Sequence, residues 1–239
     1  MYVNAPRYLL RKQCVLKLLK DIQTGTALDV GCGAGDMAHT LAQRGFSVLG
    51  VDYSEEAIAL CRRLWSQDNT RFEAKDIKDL GEQFDLIIFM EVLEHIEDDA
   101  AALCQIRRLL NDGGRLILSV PAHQDKFGPS DRYVGHFRRY DKKDLMKILR
   151  QAGFDVEEIW SYGVPLANLT EWVRNVIYKN KSRGSMKEGT QKSGIDRSIE
   201  SRFKFLLNSI CLFPFYLLQR AFLNTDFGTG YILKVKKTV

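Results

Sequence analysis

Four titratable side chains stand where their types and spacing could do chemistry: Glu91, Glu94, His95 and His136. The first three belong to Glu91-Val92-Leu93-Glu94-His95, and in a helical turn the positions i, i+3 and i+4 share one face. Two carboxylates and an imidazole on one face can take a proton from a hydroxyl near neutral pH, with His95 as the natural base. Joined by His136, the same donors suit a divalent cation such as Mg2+, which would lower the pKa of a coordinated hydroxyl. A second polar stretch, Pro121 to Tyr140, shows no helical or strand period and carries His123, Arg132, Arg138, Arg139 and Tyr140. Its guanidinium forks fit a carboxylate or phosphate on a substrate. They fit pairing with Asp125, Asp131 and Asp141 equally well.

These side chains need a scaffold, and the flanking sequence supplies one. Glu91 follows Phe84 to Met90, a nearly unbroken apolar run that predicts a central parallel strand buried on both faces. Earlier, the apolar run Ala27 to Val30 meets Gly31, Gly33 and Gly35 and then a helical pattern from Met37 to Arg44. Strand, glycine turn and helix in that order make a cradle against which a small molecule can lie. The dinucleotide fingerprint would place a third glycine where this chain has Asp36, and an acid there repels a pyrophosphate. Phe46 to Val51 predicts a second strand ending in Asp52, 21 residues beyond Gly31, where a carboxylate can accept both ribose hydroxyls. The ligand implied is a nucleoside with a cationic tail.

Leu28 to Asp36, Val51-Asp52-Tyr53-Ser54, Phe72-Glu73-Ala74-Lys75-Asp76, Phe84 to Ile88, and Leu109 to Gly114 with the strand that follows resemble class I S-adenosylmethionine-dependent methyltransferases. The resemblance covers residues 26 to 160. It implies a Rossmann-like α/β fold, with a seven-stranded mostly parallel sheet and helices on both faces; because the usual connection between the last two strands is short, the long stretch between them here is a helical insertion. It also implies S-adenosylmethionine as cofactor, held by Asp29, Gly31, Gly33, Gly35, Asp52, Tyr53, Asp76, Ile77 and Met90. Catalysis then falls to His95, His136 and Glu94, and a metal to Glu91, Glu94, His95 and His136. The Glu-x-x-Glu-His arrangement is similar to ubiquinone-pathway O-methyltransferases and small-RNA 2′-O-methyltransferases.

The remaining chain divides around that core. Residues 1–25 hold a helix from Pro6 to Ile22, expected mainly to pack, and residues 26–161 are the cofactor-binding core. Helices are predicted from Ser54 to Trp65, Asp98 to Leu110 and Asp141 to Ala152, and a sixth strand from Phe154 to Trp160. Residues 162–227 form the insertion, and 228–239 return as the final strand, centred on Tyr231 to Val235. Within the insertion, Leu166 to Tyr178 has a helical pattern and Asn180 to Gly194 is a Lys/Ser/Gly-rich linker. The strongly apolar Phe203 to Leu223 is interrupted by Lys204, Asn208, Pro214 and Arg220, which argues against a membrane span. It reads as a lid, a homodimer surface or a peripheral membrane anchor.

Composition bounds the function without naming it. With 239 residues and a formal net charge of +5, the chain can bury one elaborated α/β core, and its mild basicity demands no anionic partner. The five cysteines, Cys14, Cys32, Cys61, Cys104 and Cys211, form no C-x-x-C pair and suit reduced thiols in a cytoplasmic protein. The favoured reading is O-methylation of a small, apolar or lipid-linked acceptor. Methylation of RNA is the rival suggested by Lys179, Lys181, Arg183, Lys187 and Lys192, but no aromatics interleave that run to stack bases. A non-catalytic module that binds the cofactor or its demethylated product is the third reading, and the polar groups at Glu94, His95 and His136 count against it.

Overall fold

The computed structural model describes residues 6–179 and 209–238. The expected Lys/Ser/Gly linker and the first part of the apolar segment lie outside the described residues. In chain order the elements are α1 (Pro6–Leu18), β1 (Thr26–Val30), α2 (Asp36–Gln43), β2 (Ser47–Asp52), α3 (Glu55–Trp65), β3 (Thr70–Ala74) and β4 (Phe84–Met90). There follow α4 (Asp99–Arg108), β5 (Leu110–Pro121), α5 (Pro129–Val134), α6 (Lys142–Gln151), β6 (Phe154–Tyr162), α7 (Leu166–Lys179), α8 (Ser209–Phe222) and β7 (Gly230–Lys237).

The seven strands form one sheet in the order β3-β2-β1-β4-β5-β7-β6. Pairing is parallel from β3 through β5, and β7 runs antiparallel to both β5 and β6. Successive strand residues point to opposite faces, so β4 divides its apolar side chains between two cores. Ile87 and Phe89 enter a cluster with Leu103 and Ile106 of α4 and Leu145 and Leu149 of α6. Leu86 and Ile88 enter another with Val15 and Leu18 of α1, Leu41 of α2 and Ile58 of α3. All twelve are essentially fully buried, each contributing about 1.5–3 kcal/mol. The strand that leads into the candidate chemistry is thus anchored on both faces of the sheet.

Several local expectations change. The Asn111 to Gly114 turn sits inside β5 as an irregularity: Leu110 pairs with Phe84 and Arg115 with Leu86, and Gly113 takes a positive φ of 77°. The unpatterned stretch after Pro121 contains a 3-10 turn at Gln124–Lys126 and the six-residue α5. An element that short cannot display a period, although Pro129 at its start and Gly135 at its end are helix boundary signals. Asp141 does not cap α6 with its side chain. Its Oδ1 accepts the Gln124 N–H at 3.1 Å instead, tying the start of the polar stretch to its end.

Candidate active site

The cofactor cradle opens where β1 ends. Gly31 has φ 67°, and a Cβ there would lie 2.6 Å from Val92 Cγ2; Gly35 has φ 78°, and its Cβ would lie 2.8 Å from the Trp65 ring. A bulkier residue at either place would meet both a strained backbone and a filled space. Asp52 at the tip of β2 fixes the turn, its Oδ2 accepting the Gly33 N–H and its Oδ1 the Ser54 N–H, both at 2.9 Å. Asp76 caps the turn Ile77–Asp79 by accepting the Lys78 N–H at 2.9 Å, while exposed Tyr53 points its hydroxyl at Asp76 from 3.5 Å. Ile77 is buried, and Met90 ends β4 partly buried.

Asp29 is the electrostatic centre of this cradle. It is buried, its Oδ2 has no hydrogen-bond partner, and burial beside Asp52 and Asp36 pushes its carboxyl up to about 7. A buried carboxylate oxygen without a partner costs free energy that a cationic ligand group would recover. The cradle therefore fits S-adenosylmethionine, whose ammonium and sulfonium are cationic. Asp36, expected to repel phosphate, accepts the Tyr8 hydroxyl at 2.6 Å and pairs with Lys12 at 2.7 Å. Its charge is balanced, and α1 is latched over the cradle.

Beyond β4 the chain departs from the expected helical turn. Only Leu93–His95 forms a 3-10 turn, and Glu91 lies before it with φ 54°, a conformation that costs a non-glycine residue about 1–3 kcal/mol. Five groups hold it there. Its N–H donates to the Ser119 carbonyl at 2.9 Å; Tyr162 and Ser119 hydroxyls donate to Oε1 at 3.0 and 3.2 Å; Arg11 and Arg7 pair with Oε1 and Oε2 at 3.2 Å. Burial alone would raise the Glu91 carboxyl, but Arg11 and Arg7 outweigh it and hold the group down at about 2. The expected face shared by Glu91, Glu94 and His95 is therefore not formed.

Glu94, His95 and His136 do converge, with one ligand atom from each lying within 4.8 Å of the others. Glu94 is wholly buried with neither oxygen hydrogen-bonded, and burial, reinforced by Glu91, raises its carboxyl well above the usual range. His136 Nε2 lies 3.8 Å from Glu94 Oε1, and the His95 ring packs edge-on to it, centroids 4.6 Å apart. His95 Nδ1 is buried without a partner, and burial pushes the ring down to about 4. One carboxylate and two imidazoles fit a divalent ion, and this donor set suits a first-row transition ion better than Mg2+.

The remaining predicted substrate contacts are mostly spoken for. Arg139 is buried and grips Asp131 Oδ2 through Nε at 3.0 Å and Nη2 at 2.8 Å, while also pairing with Glu171 of α7. Arg138 pairs with Asp99 at 2.7 Å, and the buried Tyr140 donates to the same carboxylate at 3.0 Å. The expected substrate clamp is thus, at Arg138, Arg139 and Tyr140, a set of internal struts, because each cation has a carboxylate within reach. Exposed Arg132 lies over the Phe127 ring at 5.4 Å. His123 contacts the Gly228 carbonyl at 3.1 Å and stands with exposed Asp125 and Asp141, apart from the Glu94 cluster.

Three residues outside the sequence-based set, Arg7, Tyr162 and Glu171, build this site together with Arg11, a candidate cofactor contact beside Tyr8 on the helix expected mainly to pack. Arg11 carried a signal, since Tyr8, Arg11, Val15 and Leu18 recur at helical spacing and are all buried. An arginine on a buried face requires a buried partner.

The methyltransferase domain family matches residues 5–159. A ubiquinone biosynthesis O-methyltransferase from Pseudomonas paraeruginosa is 35% identical over 101 residues, 40% of this chain and 44% of that protein. One of the same name from Alkalilimnicola ehrlichii is 33% identical over 171 residues, 69% of this chain and 65% of that protein. The chain thus spans less than two thirds of the length of these curated relatives. An N-methyltransferase from Bradyrhizobium japonicum in complex with S-adenosyl-L-homocysteine superposes with a TM-score of 0.60 at 17% identity, covering 98% of this chain and 89% of that one. With the family matched over most of its length and the strand order above, the chain belongs to the methyltransferase domain family and has the fold of the class I S-adenosylmethionine-dependent enzymes.

Proposed function

We propose that this protein transfers the methyl group of S-adenosylmethionine to a hydroxyl oxygen of a small, apolar or lipid-linked acceptor. The observation that carries the reading is the convergence of Glu94, His95 and His136, in which both oxygens of the buried Glu94 and Nδ1 of His95 have no hydrogen-bond partner within the described residues. Bound at the cradle, the cofactor supplies an electrophilic methyl on a sulfonium. Asp29, Asp52 and the glycine turn bind and orient it, and Glu91, locked by Arg7 and Arg11, fixes the end of β4 beside it. His136 offers Nε2 to the acceptor hydroxyl and takes its proton as the oxygen attacks. Asp131, the carboxylate bonded to the other ring nitrogen, stabilises the imidazolium, and Glu94 stands 3.8 Å from Nε2. In-line displacement further requires that the acceptor oxygen lie opposite the sulfonium.

The names of the relatives support oxygen as the methylated atom. A divalent cation held by Glu94, His95 and His136 would lower the pKa of the acceptor hydroxyl. An apolar acceptor fits the exposed apolar faces of α7 and α8.

The test supplies methyl-labelled cofactor together with a cell lipid extract or an aqueous extract, with Asp52→Ala as the blank. Label in the organic-soluble product supports the reading. Label confined to the aqueous or RNA fraction overturns the acceptor class. Cofactor binding without turnover in any fraction overturns catalysis itself.

A further inference from the structure

The polar side of α7 is turned toward the protein. Asn168, Glu171 and Asn175 stand at i, i+3 and i+7 and share one face of the helix. Asn168 donates to the Phe227 carbonyl at 2.9 Å, and Asn175 Oδ1 accepts from the Ser130 N–H at 3.2 Å and the Ser130 hydroxyl at 2.7 Å. Between them Glu171 pairs with Arg139. Ser130 is the neighbour of Asp131, so α7 braces the helix from which His136 is oriented. That helix needs bracing, because six residues are too few to be stable alone.

Around Arg139 the charges do not cancel. Its side chain, 2% exposed, faces two carboxylates, Asp131 at 3% and Glu171 at 12% exposure. One cation between two anions leaves an excess of negative charge. Burial works against the charge of Arg139, yet Asp131 and Glu171 together hold its guanidinium above the ordinary range. Arg7 also feels Glu171, but it has Glu91 as a direct partner at 3.2 Å. The charge of Glu171 therefore acts chiefly on Arg139.

The effect passes to the imidazole. Asp131 gives Oδ2 to Arg139 and to the Gly128 N–H, and Oδ1 to His136 Nδ1 at 2.9 Å. A carboxylate that faces a whole guanidinium charge is a poorer acceptor at its other oxygen, because the cation draws the negative charge toward itself. A second carboxylate on the guanidinium reverses this.

We propose that Glu171 is a positioning residue for His136. By taking a share of the charge of Arg139, it keeps Asp131 a strong acceptor for the Nδ1–H and so holds Nε2 toward Glu94. The hold serves Nε2 equally whether that nitrogen meets an acceptor hydroxyl or a cation. The consequence for rate rests on the methylation reading, and the consequence for the direction of the ring does not.

The tautomer of His136 is read by nitrogen–proton NMR in the chelator-treated full chain without cofactor, the ring being assigned by its absence in His136→Gln. The parent chain is expected to show Nδ1–H alone. Glu171→Gln, which keeps the shape and removes the charge, is expected to show both tautomers, and Glu171→Asp, which keeps the charge, to return most of the signal to Nδ1–H. Arg139 retains Asp131 in each variant, so no buried charge is left unpaired and melting temperatures are expected near the parent value. Should the amide disturb folding, Glu171→Met, of similar length and without charge, takes its place.

Rates are measured with saturating methyl-labelled cofactor and a cell lipid extract. Labelling is expected to fall about tenfold in Glu171→Gln and to recover to within about threefold of the parent in Glu171→Asp, with affinity for S-adenosylhomocysteine unchanged. A ring that keeps the parent tautomer in Glu171→Gln overturns the proposal, as does Nε2–H in the parent chain. Equal losses in Glu171→Asp and Glu171→Gln also overturn it, since the residue would then act by shape alone. If the parent chain labels no product, the methylation reading fails, and the tautomer alone decides whether Glu171 positions the ring.

Discussion

Asp131 Oδ1 lies 2.9 Å from His136 Nδ1, so the ring donates its Nδ1–H to a carboxylate and presents Nε2 toward Glu94. Asp131 is itself held by Arg139 and by the Gly128 N–H, and although burial works against it, the bonds from His136 and Arg139 keep its carboxyl well below the usual range. The carboxylate therefore fixes both the tautomer and the direction of the imidazole. Replacing it, as in Asp131→Asn, should lower kcat by about 10–100-fold while leaving cofactor affinity unchanged. Single-turnover rates and calorimetric titration with S-adenosylhomocysteine would separate the two effects.

Glu91 carries a different burden, because two guanidinium groups depend on it. In Glu91→Gln, Arg7 and Arg11 lose their counter-charge while staying largely buried, their side chains being 19 and 6% exposed. A loss of about 3 kcal/mol in folding stability is expected, since an unpaired buried charge costs more than the pair contributes. Denaturant unfolding would measure it. Because α1 is pinned partly through these arginines, cofactor binding should weaken in the same variant.

The pH dependence of stability should carry the signature of His95. Its folded value of about 4 lies below the ordinary histidine value of 6.5. Between those two values the unfolded chain binds more protons than the folded one, so stability rises with pH. The contribution is complete above about pH 6.5 and is lost progressively as pH falls toward 4, for a total of about 3 kcal/mol. Unfolding midpoints collected across this window should show a slope that His95→Gln flattens.

A cation bound by Glu94, His95 and His136 would stabilise the folded chain by mass action. Mn2+ or Zn2+ should raise the melting temperature of the chelator-treated protein, and the rise should vanish in His136→Ala. Activity and stability both indifferent to chelator would remove the metal from the reading and leave proton transfer by His136.

Much of the scaffold could be read from local pattern. The apolar runs at Ala27–Val30 and Phe84–Met90, the three glycines between β1 and α2, and Asp52 at the next strand end all occupy the places their sequence context implied. Capping residues were equally legible: Ser54 accepts the Ala57 N–H and Asp98 the Ala101 N–H. What local pattern could not reveal is which charge meets which. Arg139 meets Glu171 only because α7 folds back over α5, and Arg11 meets Glu91 only because α1 crosses the strand ends. Spacing also misplaced Glu91, since the five groups gripping it in a left-handed conformation come from α1, β5 and β6. The apolar face of α7 was visible as a period, but a period does not say which side of a helix looks inward. Here it is the polar side.

The last strand of the sheet has a consequence for how the molecule is made. β7 lies between β5 and β6 and supplies every sheet hydrogen bond that β6 has. During synthesis β6 emerges from the ribosome nearly seventy residues before its neighbour, counting from Tyr162 to Gly230. Until then β6 has no strand partner and β5 is the open edge of the sheet, and the insertion helices must be translated while that edge waits. Closure of the sheet is therefore a late event that couples α1, whose Arg11 contacts Tyr162, to a strand that starts at Gly230.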